Sequence, residues 1–143
     1  MSIYADSSFF VSLYLPDRHF TQARPLAAQH ARVWLTPLHR AELANSVAQQ
    51  LFMKKISADE AQNVLRQFQR DRQSRFWMEV DLPEMAFDRC IQLAQQYGGR
   101  IALGTLDTLH IASALELGAE RFWTFDVRQA KLARAAGLKR FHS

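Results

Sequence analysis

Ser2-Ile3-Tyr4-Ala5-Asp6 near the start of the chain and Arg121-Phe122-Trp123-Thr124-Phe125-Asp126 near its end decide the fold. Each is a short apolar run closed by an aspartate, the pattern of a buried strand that ends where a helix begins. Residues 31–36, with Val33-Trp34-Leu35, and residues 76–80 predict two further strands. Between these runs the spacing predicts helices. The first spans 7–15 and is stopped by Pro16, and the second spans 18–30 with a kink at Pro25. A third starts at Pro37 and runs to about Lys54, with Leu38, Ala41, Ala44, Val47, Ala48 and Leu51 on one face. Ser57-Ala58-Asp59-Glu60 fits a capping box and opens a helix to about Arg75 that turns Ala61, Val64, Leu65 and Phe68 inward. Pro83 opens a helix ending near Gly98-Gly99. Residues 105–117 form another, stopped by Gly118, and Gly137 stops the last. Short apolar strands alternating with helices are the signature of a mainly parallel sheet covered on both sides, a three-layer α/β/α sandwich. Strand order is not legible at this level.

The chain has 143 residues and is 48% hydrophobic, enough for one core, so residues 1–143 are read as a single domain. The opening residues carry neither a basic segment nor a long apolar one, and no window approaches the ~18 apolar residues of a membrane span. A soluble, cytoplasmic protein is expected. Cys90 is the lone cysteine, so an internal disulfide is excluded. It falls on an apolar stripe with Ala86, Phe87, Ile91 and Ala94 and is expected to be buried. A net charge of +4, with Lys54, Lys55, Arg66, Arg70, Arg72 and Arg75 in the middle and Arg128, Lys131, Arg134, Lys139 and Arg140 at the end, points toward a polyanionic partner. Any one of these cations also reads as an ordinary solvated helix face.

The chemistry resides in four acids: Asp6, Glu42, Asp107 and Asp126. Taken singly, Asp6 and Asp126 also read as N-caps, Asp107 as a first-turn acid and Glu42 as a solvated helix residue. Together they form a pattern. Two acids close strands and two stand in the first half of helices, positions that a parallel sheet brings to one edge, where ligands bind in open α/β folds. Carboxylates gathered there repel one another unless a cation neutralises them. Mg²⁺ or Mn²⁺ suits such a set, because hard cations take oxygen ligands and Mg²⁺ keeps several of its waters. Other chemistries fail on spacing. Residues 99–105 lack the lysine of a phosphate loop, Asp6 is not followed by the second aspartate of a haloacid-dehalogenase-like phosphatase, and Phe125-Asp126 offers no late-strand lysine for a receiver-like domain. The five histidines show no zinc-ligand spacing.

Four segments together resemble the PIN-domain family, and within it the VapC-like ribonuclease toxins: Tyr4-Ala5-Asp6-Ser7-Ser8, Arg40-Ala41-Glu42-Leu43, residues 107–114 (Asp107-Thr108-Leu109-His110-Ile111-Ala112-Ser113-Ala114) and Phe122-Trp123-Thr124-Phe125-Asp126. The resemblance runs the length of the chain and rests on order and spacing, since each piece is short. It implies a metal-dependent endoribonuclease that hydrolyses RNA phosphodiesters to 5′-phosphate and 3′-hydroxyl ends. By the same resemblance, Asp6, Asp107 and Asp126 would hold Mg²⁺ or Mn²⁺, Glu42 would complete the shell or orient the attacking water, and Ser7 and Thr124 would be supporting hydroxyls. Arg128, Lys131 and Arg134 would track the RNA backbone. The sequence departs from the family pattern at two points. No basic residue precedes Asp107, so Arg100 is the candidate substitute, and His110 stands where an apolar or small polar residue is usual. His110 is read as a structural or rim residue.

The partners the resemblance implies are an RNA substrate, a cognate antitoxin and a second copy of the chain in a homodimer. Trp34, Phe52, Met53, Phe68, Phe76 and Trp77 are candidate lining for such an interface, with core packing as the alternative. The competing function is a non-catalytic RNA- or protein-binding module of the same fold. Its mark would be a missing carboxylate, and none is missing.

Overall fold

The computed structural model describes residues 2–15 and 32–140, excepting the Arg140 side chain. The helix expected at 18–30, its kink at Pro25 and the stop at Pro16 lie outside the described residues. Among the described residues the strands are β1 (Ile3–Ala5), β2 (Trp34–Leu35), β3 (Met78–Glu79), β4 (Arg121–Trp123) and β5 (Lys139–Arg140). The helices are α1 (Ser7–Ser12), α2 (Pro37–Phe52), α3 (Ala58–Gln73), α4 (Ala86–Tyr97), α5 (Thr105–Glu116) and α6 (Val127–Ala135).

Every strand pairing is parallel. β4 lies between β1 and β5, β2 pairs with β3, and a bridge from Ile3 to Val33 joins the two groups. The resulting order, β3-β2-β1-β4-β5, puts β1 at the centre. Strand alternation assigns side chains to the two faces. Ile3, Ala5, Val33, Leu35 and Trp123 enter one core with Phe9, Phe10, Leu43, Phe68 and Trp77, beneath α1, α2 and α3. Tyr4 and Phe122 enter the other with Cys90, Leu93, Ile111, Ala112 and Leu132, beneath α4, α5 and α6. The α/β/α sandwich read from the sequence is therefore the fold.

The stops at Gly118 and Gly137 hold. Their φ values of 68° and 100° are left-handed, and each helix closes with paired bonds: Ala119 N to Ala114 O at 3.0 Å and Gly118 N to Leu115 O at 3.1 Å after α5, Leu138 N to Ala133 O at 2.9 Å and Gly137 N to Arg134 O at 3.0 Å after α6. Any L side chain is strained at those φ values, so glycine sits there at least cost. The capping box at Ser57 and Glu60 also forms. Pro83 opens only a turn, and α4 begins at Ala86, whose N–H meets the Pro83 carbonyl at 3.0 Å.

Three helix faces differ from expectation. On α2 the buried residues are His39, Leu43 and Val47, whereas Ala41, Ala44 and Ala48 are exposed and Leu51 largely so. The cause is polar. Thr36 N–H donates to Nδ1 of His39 at 3.0 Å, which leaves the proton on Nε2, and Nε2–H donates to the Ala5 carbonyl at 2.8 Å. This bond fixes the roll of α2 against β1, and a stripe drawn from apolar residues alone misses it. On α4, Ala86 and Cys90 are buried with Leu93, but Phe87, Ile91 and Ala94 face outward. Leu65 of α3 also faces out, while Ala61 and Phe68 are buried and Val64 is half-buried. Of the aromatic and methionine residues considered for an interface, Phe68 and Trp77 belong to the core, Trp34 and Phe76 are half-buried, and Phe52 and Met53 remain exposed, Phe52 at 86%.

Candidate acid site at the sheet edge

The carboxyl ends of β1 and β4 lie side by side, with Ala5 in register with Trp123 and Asp6 N–H donating to the Trp123 carbonyl at 2.9 Å. Asp6 leaves β1 as the N-cap of α1 and is only 2% exposed. Four polar contacts hold its carboxylate. Phe9 N–H reaches Oδ1 at 2.7 Å, the Ser8 hydroxyl lies 3.0 Å from Oδ1 and 2.9 Å from Oδ2, and the Thr124 hydroxyl donates to Oδ2 at 2.6 Å. Burial nevertheless dominates and lifts the Asp6 carboxyl to about 6, against the hydrogen bonds of Thr124, Phe9 and Ser8 and the field of His110. A carboxylate this well bonded and still raised is one whose negative charge lacks a full counter-charge.

Thr124 organises the edge. Its hydroxyl gives its proton to Asp6 and accepts the Asp126 N–H at 2.9 Å. Asp126 caps α6 by accepting from Arg128 N at 2.8 Å and Gln129 N at 3.2 Å. The buried Gln129 side chain then crosses to α5, donating from Nε2 to the Asp107 carbonyl at 3.1 Å. Asp107 lies in the first turn of α5 and its carboxyl is raised, first by burial and then by Asp126, with Glu42 adding repulsion and His110 and Arg128 opposing. The fields of Asp126 and Glu42 thus reach Asp107, although α2, α5 and α6 are far apart in sequence.

Glu42 sits in the second turn of α2, its side chain 19% exposed, and accepts from Nε2 of His110. His110 is wholly buried, away from any rim, and its Nδ1 meets the Tyr4 hydroxyl at 2.6 Å. Ser7 makes none of the bonds to Asp6. That role belongs to Ser8, while Ser7 lines an opening of about 260 Å³ with Ser8, Val11, Glu42 and Ser46. Arg128, Lys131 and Arg134 are exposed along α6, and Arg128 Nε stands 3.9 Å from Asp126 Oδ1. Arg100 is placed over the ring of Tyr97 at 5.7 Å, against α4. Sequence reasoning missed Ser8, Gln129 and His39, and of its two readings of His110, structural or rim, burial leaves the structural one. The visible signals were a second hydroxyl at a cap and polar residues at buried helical spacings.

The candidate ligands Asp6, Glu42, Asp107 and Asp126 offer only carboxylate oxygens, a set that suits a hard divalent cation. Among the described residues, no three acidic, histidine or cysteine side chains already stand together as a ligand array. Mg²⁺, which needs one or two carboxylates and retains water, does not require one. Also among the described residues, no helix is long and apolar enough to cross a membrane.

A parallel α/β/α sandwich with Asp6 and Asp126 just beyond the carboxyl ends of β1 and β4 defines the class of protein. The family model of the PIN domain matches residues 3–135, and the chain belongs to that family. Solved structures share the fold. Mycobacterium tuberculosis VapC20, described as a sarcin-ricin-loop-cleaving toxin, is 17% identical with a TM-score of 0.71, covering 99% of this chain and 100% of that one. VapBC2 of Rickettsia felis, bound to a DNA fragment from its promoter, is 17% identical with a TM-score of 0.68, covering 98% and 97%. FitAcB of Neisseria gonorrhoeae is 18% identical with a TM-score of 0.68, covering 98% and 96%. Among curated protein sequences nothing matches the chain significantly.

Proposed function

We propose that this chain is a single-domain, Mg²⁺- or Mn²⁺-dependent endoribonuclease and the toxin of a VapBC-type pair, with Asp6, Glu42, Asp107 and Asp126 as its working carboxylates. One observation supports the reading: at the β1–β4 edge Asp6 is tied through Thr124 and Gln129 to the backbones of Asp126 and Asp107, burial raises Asp6, and burial with repulsion from Asp126 and Glu42 raises Asp107. Raised, under-compensated carboxylates at a cleft mark functional sites more often than structural ones. The fold shared with VapC20, VapBC2 and FitAcB supports the toxin reading and an antitoxin partner.

Asp6, Asp107 and Asp126 would hold the cation, directly or through its waters. When bound, it supplies a water of lowered pKa and shields the charge that builds on the phosphoryl oxygens. Thr124 keeps Oδ2 of Asp6 in place, and Gln129 ties the starts of α5 and α6 together. Glu42 would complete the shell or orient the attacking water. The exposed Arg128, Lys131 and Arg134 hold the RNA backbone, which makes binding salt-sensitive and poor in sequence information. Sequence choice then rests on RNA shape or unpaired bases.

The test is incubation of total cellular RNA with the purified protein and Mn²⁺ or Mg²⁺, with new 5′ ends mapped by sequencing. New 5′-phosphate ends that vanish with EDTA and with Asp107→Asn are expected. Ends that survive the substitution would sink this site, and an absence of cleavage would favour a non-catalytic binding module.

A further inference from the structure

His110 is a fully buried polar side chain at this edge that the proposed chemistry does not use. Its ring is 0% exposed in the middle of α5, among Leu109, Ile111 and Ala112, where an apolar residue would avoid the cost of desolvating two nitrogens. Both nitrogens are engaged across the fold. Nδ1 meets the Tyr4 hydroxyl of the central strand at 2.6 Å, and Nε2 meets Oε1 of Glu42 on α2. An ionised carboxylate can only accept, so Nε2 carries the proton of that bond. Tyr4 is itself buried, and burial holds its hydroxyl above its ordinary pKa, so it remains a phenol. The His39 ring, centred 4.9 Å from that of His110 and also 4.9 Å from that of Tyr4, packs the pair from the side.

A glutamate on a half-exposed helix face ordinarily samples several rotamers. Here one oxygen is pinned from the interior. Among the described residues no donor meets the other, Oε2, and Glu42 forms part of the wall of the opening between α1 and α2. We propose that His110 is a positioning residue for Glu42: braced by Tyr4, it fixes Oε1 so that Oε2 is presented in one orientation to a bound cation or its water. This rests on the proposed function and deepens it. It also accounts for a polar residue at a position where packing alone would select leucine.

The experiment compares wild type, His110→Leu, His110→Gln, Tyr4→Phe, Glu42→Gln and the His110→Leu/Glu42→Gln double variant. Three readouts are taken: Mn²⁺ affinity by calorimetry, single-turnover cleavage, and the Nε2–H resonance of His110 in the metal-free, ¹⁵N-labelled protein. Side chains that hold a metal-site group from behind are typically worth ~10- to 100-fold in affinity or rate. His110→Leu is expected to weaken Mn²⁺ binding and cleavage by about that factor, with KM for RNA unchanged. His110→Gln, which keeps a donor near Nε2, recovers most of the loss. In the Glu42→Gln background His110→Leu should add less than about threefold, because a residue acting through Glu42 has nothing left to position.

An equal loss in both backgrounds, or wild-type Mn²⁺ affinity together with wild-type cleavage in His110→Leu, overturns the proposal. If His110→Leu does not fold, Tyr4→Phe and the resonance decide: the Nε2–H signal must shift on Glu42→Gln, and a signal that stays put overturns the pairing whatever the protein cuts. Wild type that binds Mn²⁺ but cleaves nothing overturns the nuclease reading alone and leaves the affinity comparison standing. Wild type that binds no Mn²⁺ overturns both.

Discussion

Asp6 and Asp71 are the two aspartates buried among the described residues, and they belong to different networks. Asp71, on α3, accepts from the Tyr14 hydroxyl at 2.6 Å and from Gln67 Nε2 at 2.9 Å, and Trp77 Nε1 in turn donates to Tyr14 at 2.8 Å. Its partners are neutral donors from the surrounding scaffold, and the network ties the end of α1 to α3 and to the residue just before β3. Asp6 has three donors to the two of Asp71, its carboxyl is raised to about 6 by burial, and Thr124 and Gln129 link it to the backbones of two further acids. Burial of an acid is therefore not what makes a site. The difference lies in position: Asp6 stands where a strand end, two helix starts and two more carboxylates meet, and Asp71 does not.

The sharpest way to break the comparison is a paired substitution. Asp107→Asn, at the Asp6 site, should lower single-turnover RNA cleavage on the order of 10³-fold, a loss of ~4 kcal/mol of transition-state stabilisation. Asp71→Ala should leave cleavage within about threefold and instead cost ~1–3 kcal/mol in urea unfolding, because Tyr14 and Gln67 lose their acceptor. Equal effects on cleavage would erase the distinction.

A pH series on the metal-free protein sharpens it next. Asp6 is protonated in the fold up to about 6, whereas the unfolded chain releases that proton near ~3.9. Within that window the folded state binds more protons, so this group makes stability fall as pH rises from 4 to 6 and leaves a constant deficit above. The deficit is at most ~3 kcal/mol. Wild type minus Asp6→Asn, measured by urea unfolding at pH 4 and pH 7, should show it as a relative loss for wild type at the higher pH. A flat difference would mean that the hydrogen bonds already neutralise the site.

Cation binding should reverse that deficit. Mn²⁺ at 100 times its Kd stabilises the fold by ~2.7 kcal/mol, removable with EDTA. Thermal unfolding should show the shift in wild type and Asp71→Ala and not in Asp6→Asn. The smallest effect belongs to the scaffold. Tyr14→Phe should cost ~1–2 kcal/mol by leaving Asp71 and Trp77 Nε1 short of a partner, with Mn²⁺ affinity unchanged by calorimetry.

Strand and helix identity were legible in the sequence because apolar runs, caps and glycine stops are local signals: the aspartates closing the runs at Ala5 and Phe125, the box at Ser57, the stops at Gly118 and Gly137. Where the acids fall, at strand ends and in the first half of helices, was legible because those positions are set by local signals, whatever the order of the strands. What the sequence alone did not determine was which way each helix is rolled and which polar groups support the acids. The bond of His39 to the Ala5 carbonyl turns the alanine stripe of α2 outward, Ser8 rather than Ser7 meets Asp6, and His110 joins Tyr4 to Glu42 across a sequence separation of 106 residues on one side and 68 on the other. Side chains of that kind are chosen by directional hydrogen bonds between distant segments. Periodicity records only where apolar surface falls, so those choices exist only once the sheet has brought the segments together.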